Sequence, residues 1–169
     1  IEARTVLTTD DIASAAEPAK RRGVAGNVFI FKAAGAAADL GLSLDEVERV
    51  ARNANARTYT MGVALSACSL PQTRRLNFDL PSGEMEIGMG IHGEPGIRRG
   101  TLKPANAVAD EIMDAILAAM NAPAGAKVAV LVNSLGSTPL MELYILHARV
   151  AARLAAANLT IHTALVGPY

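Results

Sequence analysis

The stretch Lys127–Asn133, with Val128-Ala-Val-Leu-Val132 at its centre, is apolar at nearly every position. A strand of this kind is covered on both faces, because a half-exposed strand alternates apolar and polar residues. The residues after it agree with that burial. Thr138-Pro139 sets a capping side chain and a first-turn proline ahead of a long helix through Ala157, and Leu159 to Val166 returns as a last strand. The helix is expected to pack on one sheet face through Leu140, Leu143 and Leu154. Such a layered sheet with packed helices defines an α/β fold of the mixed α+β kind. With 169 residues, the chain is read as one compact domain over 1–169.

Upstream, Ile1–Leu7 alternates enough to predict a strand, followed by a polar turn at Thr8-Thr-Asp-Asp11. An alanine-rich helix is expected from Gly26 to Leu40, stopped by Gly41. Ser43 with Glu46 three residues on is a capping-box signature, predicting a helix from Leu44 to about Arg57 that shows Leu44, Val47 and Val50 to the core. Thr58 to Cys68 reads as a strand and Ser69 to Arg75 as turns. From Met85 to His92, Met85, Ile87, Met89 and Ile91 alternate with Glu86, Gly88, Gly90 and His92. A period of two puts His92 on the glycine face of a strand, beside an open groove. Pro104 opens a further helix with Val108, Ile112, Ile116 and Ala119 in one stripe, ending near Asn121-Ala-Pro123.

Sixteen acidic residues balance sixteen basic ones, so no one-signed field draws the chain to nucleic acid or an anionic membrane. A small neutral ligand suits this balance. The apolar runs fall well short of the roughly 20 residues of a membrane span. Cys68 is the single cysteine, and no secretory pattern is visible, so cytoplasm is the default compartment. The chain starts without a methionine and stops just after a strand. Both ends read as cut from a longer polypeptide.

The segment Glu84–Arg99 concentrates an imidazole, carboxylates, four glycines within nine residues and two guanidinium groups. Its string Gly88-Met-Gly-Ile-His-Gly93 matches G-x-G-x-x-G, but Glu94-Pro95-Gly96 breaks the helix that a dinucleotide turn requires. His92 alone reads either as a hydrogen-bonded loop histidine or as a nucleophile, since a neutral imidazole carries a lone pair near pH 7 and Gly93 leaves an approach path. His92, His147, His162 and Cys68 lack the short pair spacings of zinc sites. Asn133–Pro139, between a strand and a helix start, suits either an anion or a capped turn. Arg98 and Arg99 suit a phosphate, a carboxylate partner or solvent. There is no Walker loop and no nucleophile-elbow motif.

Ala34-Gly-Ala-Ala-Ala38, Met61-Gly-Val-Ala-Leu65 with Cys68 and Pro71, Glu84-Met-Glu-Ile-Gly88 through Ile91-His-Gly-Glu-Pro-Gly96, Asn133 with Leu135-Gly136, Thr138-Pro-Leu140 and Glu142-Leu-Tyr144 follow one another along the chain. Together they resemble the substrate-binding subunit or domain of dihydroxyacetone kinases, and the His-Gly-Glu-Pro-Gly motif is the most specific part. The resemblance implies the C-terminal, substrate-anchoring part of such a subunit. It implies that His92 is the catalytic residue, bonding covalently to the carbonyl carbon of a small hydroxyketone as a hemiaminal, with Gly93 beside the substrate. It further implies a phosphotransferase whose ATP or ADP with Mg lies on a separate nucleotide-binding domain or subunit, recharged in some members by a phosphotransferase-system protein. This chain is expected to bind no cofactor itself, and a homodimer is expected. The family also carries an N-terminal domain with a glycine-rich loop, a second histidine and an aspartate, none of which is in this sequence. Alone, the chain is therefore expected to lack kinase activity. A ketone-binding regulatory homologue and a kinase for a related ketose such as erythrulose are the alternatives.

Overall fold

The computed structural model describes residues 1–69, 72 and 74–169. It is a mixed α/β chain of four α-helices and five strands among the described residues, and it divides into two compact units, Ile1–Val63 with Ile87–Arg98, and Ala64–Glu86 with Arg99–Tyr169. Three short strands, β1 (Val63–Ala64), β2 (Glu84–Ile87) and β3 (Arg98–Thr101), form one sheet in the order β1-β2-β3.

The first unit is built on two packed helices, α1 (Asn27–Asp39) and α2 (Leu44–Asn55). The capping box that opens α2 is formed as the sequence predicts: Glu46 N–H donates to Ser43 Oγ at 3.4 Å and Ser43 N–H to Glu46 Oε2 at 3.0 Å. The fully buried positions of the pair are Ile30 and Ala37 on α1 and Ala51 on α2. Leu44 is exposed and Val47 and Val50 half-buried, so the predicted stripe on α2 has the right direction but a smaller residue at its deepest point. Small side chains let two backbones approach, and periodicity counted on large residues misses them.

Ile1–Leu7 forms no strand, and the strand predicted over 58–68 shrinks to β1 with a single bridge between Thr60 and Asp11. Alternation describes a strand only where a partner completes its ladder, and over 1–7 the side chains are tied instead through Arg4, which donates to Glu2 and Glu48. Of the turns predicted over 69–75, residues 70, 71 and 73 lie outside the described residues. Pro71, part of the family resemblance, is among them.

In the second unit, β4 (Lys127–Asn133) and β5 (Thr160–Gly167) pair in parallel from Lys127↔Thr160 to Asn133↔Gly167, with an irregularity between Val128 and Ala129. The connection is α4 (Leu140–Ala156), which packs on both strands and on α3 (Ala105–Met120). Met113, Val130, Leu154 and Leu159 form the buried centre, with Leu117, Val128, Val132 and Ile161 against it. Leu143 and Leu154 face inward as expected from the sequence, whereas Leu140 is exposed. Pro104 precedes α3 as predicted, and Asn121 ends it in the left-handed conformation, φ +43°. The residues expected in one main sheet, 85–92 and 127–133, belong to two sheets: only Glu84–Ile87 of the former is strand, and β4 pairs with β5 alone.

No described helix is long and apolar enough to cross a membrane. No cluster of three or more His, Cys, Asp or Glu suited to a metal ion occurs among the described residues.

Candidate functional site

Strand β2 stops at Ile87 because Gly88 turns the chain at φ +78°, a left-handed conformation in which a side chain is strained. Its N–H donates to Gly62 O at 2.7 Å, and a Cβ at Gly88 would lie 2.7 Å from Ala13 Cβ. The predicted strand to His92 is thus cut short, and the open glycine groove is replaced by its opposite. Gly88 and Gly90 are buried, and their missing side chains make room for protein atoms. A Cβ on Gly90 would collide with Glu94 Oε2 and approach Arg22 Nη1 to 2.8 Å.

Beyond Gly90 the chain closes a tight turn. Gly93 N–H donates to Gly90 O at 3.1 Å, and Gly90 N–H to Glu94 O at 3.0 Å. This lifts Ile91 and His92 to an exposed tip, with Gly93 half-buried behind them. Glu94 holds His92 twice: its Oε2 accepts the His92 backbone N–H at 3.0 Å, and its Oε1 lies 3.0 Å from His92 Nδ1. Hydrogen bonds from its own backbone N–H, then from the His92 ring and backbone N–H, hold the Glu94 carboxyl below the usual carboxylate range despite partial burial. An ionised carboxylate can only accept, so the proton of the neutral ring sits on Nδ1 and the lone pair on Nε2. Chemically, that is an exposed imidazole whose Nδ1 is tied to a carboxylate.

The base of this turn is a polar core assembled from residues that the sequence alone does not single out. Asp10 and Asp11 are 0% and 2% exposed. Asp10 accepts from Val24 N–H at 3.0 Å and Gly26 N–H at 2.8 Å, just ahead of α1. Asp11 Oδ2 accepts from Arg22 Nε at 3.0 Å and pairs with Nη2 at 2.8 Å, while Nη2 also donates to Gly88 O at 3.1 Å. The doubled carboxylate in Thr8-Thr-Asp-Asp11 was the available signal, though in sequence it reads as a turn.

Arg99 donates through Nε and Nη2 to Glu86 Oε2, at 3.0 and 2.8 Å, and that carboxylate is almost wholly buried. In the segment 133–139, Asn133 Oδ1 accepts from Leu135 N–H and Tyr169 N–H, Ser134 Oγ from Gly136 N–H, and Ser134 O from the N–H groups of Ser137 and Thr138. The N–H groups of 135–138 are thus engaged within the segment and Ser134 N–H donates to Gly167 O, but α4 begins after Pro139 with no side-chain cap, so the capping expected of Thr138 is not formed. Cys68 is exposed, and His147 is half-buried, edge-on to Tyr144 with ring centroids 6.5 Å apart.

The turn at 88–94 carries the motif on which the resemblance rests. The Dak1 domain model matches residues 1–169, and the chain belongs to that family. It is 50% identical, over all of its length, to the dihydroxyacetone-binding subunit DhaK of PTS-dependent dihydroxyacetone kinase 2 from Listeria innocua, of which it covers 51%. Among solved structures, the dihydroxyacetone kinase operon co-activator Dha-DhaQ superposes with a TM-score of 0.87 at 35% identity, over 96% of this chain and 51% of that one. The dihydroxyacetone kinase from C. freundii in complex with AMP-PNP and Mg2+ gives a TM-score of 0.79 at 34% identity, over 96% and 30%. The chain thus spans about half the length of the first of these relatives.

Proposed function

We propose that this chain is the substrate-anchoring part of a dihydroxyacetone kinase, in which His92 captures the ketone covalently and Gly93 lies beside it. The observation that carries the reading is the double hold of Glu94 on His92, which sets the ring as the tautomer with its lone pair on Nε2. That nitrogen adds to the carbonyl carbon, forming a C–N bond while the carbonyl π pair moves onto oxygen. The ring becomes cationic as it does so, and Glu94 is placed to stabilise that charge and accept the Nδ1 proton. The alkoxide takes up a proton from solvent and Glu94 passes the Nδ1 proton back to solvent, so the addition neither gains nor loses one overall. Polyols such as glycerol have no electrophilic carbon, so the step selects ketoses.

The hydroxyls of the ketone and the developing alkoxide need hydrogen-bond donors, which the further domain expected from the family resemblance would supply. Phosphoryl transfer belongs to a nucleotide-binding domain or subunit holding ATP or ADP with Mg, and a phosphotransferase-system protein is the donor that the PTS-dependent relative suggests. Fixing the ketone converts the transfer to a nearly unimolecular step. A cytoplasmic homodimer is part of the same proposal. The likeness to a co-activator favours one second reading, a ketone-sensing regulatory homologue, which would form the adduct without turnover. A kinase for erythrulose would differ only in the size of the ketone accepted.

The test uses the full-length parent protein with dihydroxyacetone labelled with carbon-13 at the carbonyl. A protein-broadened signal in the tetrahedral-carbon region is expected, and His92→Ala should abolish it. Tight binding with the carbonyl signal intact, or an adduct surviving in the alanine variant, would remove His92 as the anchor. Turnover with the nucleotide-binding partner then separates kinase from regulator.

A further inference from the structure

We propose that Arg22 is a positioning residue for the covalent anchor: pinned by buried Asp11, it holds the base of the turn that aims Glu94 and His92. The proposal rests on the reading of His92 as the anchor. Every polar group of Arg22 near this turn is placed by another. Its N–H donates to Ser14 Oγ at 2.9 Å, its carbonyl accepts from Asp11 N–H at 3.1 Å, and Ser14 Oγ donates in turn to Asp11 O at 2.8 Å. Asp11 Oδ1 is fixed by Ala13 N–H at 3.1 Å, which leaves Oδ2 for the guanidinium. A guanidinium held this firmly loses little further freedom on making its remaining contacts.

Those contacts are to the turn. Nη2 donates to Gly88 O, the carbonyl at which the chain leaves β2, and Nη1 lies over the Cα of Gly90. Glu94 Oε2 lies over that same Cα. Gly90 is therefore the point at which the guanidinium and the tethering carboxylate share one small space, and the backbone between them is closed by the bonds of Gly90 with Gly93 and Glu94. Arg22 makes its contacts to this turn at Gly88 and Gly90. It acts by fixing where Gly90 sits, hence where Glu94 turns its two oxygens, hence which ring nitrogen keeps the proton.

A displacement of about 1 Å at a reacting group can cost on the order of 100-fold. Arg22→Met in the full-length parent keeps the length of the side chain and loses its donors. Because it also leaves buried Asp11 unpaired, Asp11→Asn/Arg22→Met removes both charges and serves as the second variant. Nitrogen-15 spectra of the ketone-free protein report the His92 tautomer directly. Wild type should show Nδ1 protonated and Nε2 bare, and both variants a mixture of the two tautomers. With the nucleotide-binding partner, KM for dihydroxyacetone should rise about 10- to 100-fold while kcat is retained, and Arg22→Lys should recover part of the loss. Folded variants that keep the wild-type tautomer and KM would overturn the proposal and leave the role of His92 untouched. A wild type that forms no adduct would overturn that role instead, and the ketone-free tautomers would still decide what Arg22 does.

Discussion

Around α3, α4, β4 and β5 the chain is held by apolar side chains that meet at Met113, Val130, Leu154 and Leu159. The turn that carries His92 is held by hydrogen-bonded polar groups, with Arg22 joining buried Asp11 to Gly88 and Asp10 bonded to the backbone just ahead of α1. Apolar packing tolerates small shifts of a side chain, because contact energy is spread over many atoms. A buried carboxylate tolerates few, since each lost partner leaves a charge or a donor without compensation. The first kind of support suits a scaffold, and the second suits a place where one nitrogen must point in one direction.

The sharpest way to break this comparison is Leu154→Ala, which removes a buried side chain from the apolar centre and is expected to cost about 3 to 5 kcal/mol. Denaturant midpoints should fall accordingly, while the His92 ring signals of the protein that remains folded keep their wild-type positions. Altered ring signals would mean that the apolar centre also sets the turn. Asp10→Asn is the converse. It sets an amide NH2 against one of the two backbone donors, Val24 N–H or Gly26 N–H, expected to cost about 1 to 3 kcal/mol, and here the ring signals should move although the loss of stability is smaller. Unmoved signals would show that the hold on residues 10–26 does not reach His92.

The smallest effect concerns the pair α3 and α4, where Asp110 accepts from Arg149 Nε and Nη2 and from Arg153 Nη1. Those hydrogen bonds, Arg149 first and Arg153 next, lower its carboxyl from 3.8 to about 2. A depressed pKa contributes stability that is complete above the ordinary value and is lost as pH falls through the lowered one. Acid titration of the denaturant midpoint between 3.8 and about 2 should therefore be steeper for wild type than for Asp110→Asn. Equal slopes would show this exposed network to be idle.

What the sequence makes legible divides along the same line. The strand Lys127–Asn133, the helix α4 and the Ser43–Glu46 capping box follow from local pattern, whereas two finer readings do not: only Val130 of that strand is buried, so it is not covered on both faces, and α4 starts without the side-chain cap expected of Thr138. His92 is singled out as the proposed anchor by its motif. Arg22 and Asp11 are not, since Arg22 meets Gly88 across 66 residues and no spacing rule connects them. The glycines mislead for a related reason: alternation in 85–92 describes a strand until φ +78° at Gly88 ends it, and what a glycine makes room for depends on atoms from elsewhere in the chain.

The tether between Glu94 and His92 spans only two residues. Closing so short a loop costs little chain entropy, and most of that cost is met when the turn itself forms. The imidazole is thus oriented as the chain folds, and much of the freedom of its ring is surrendered then. Under the proposed function, that leaves less to lose when a ligand as small as a three-carbon ketone, with few atoms to offset the loss of its own motion, meets the ring.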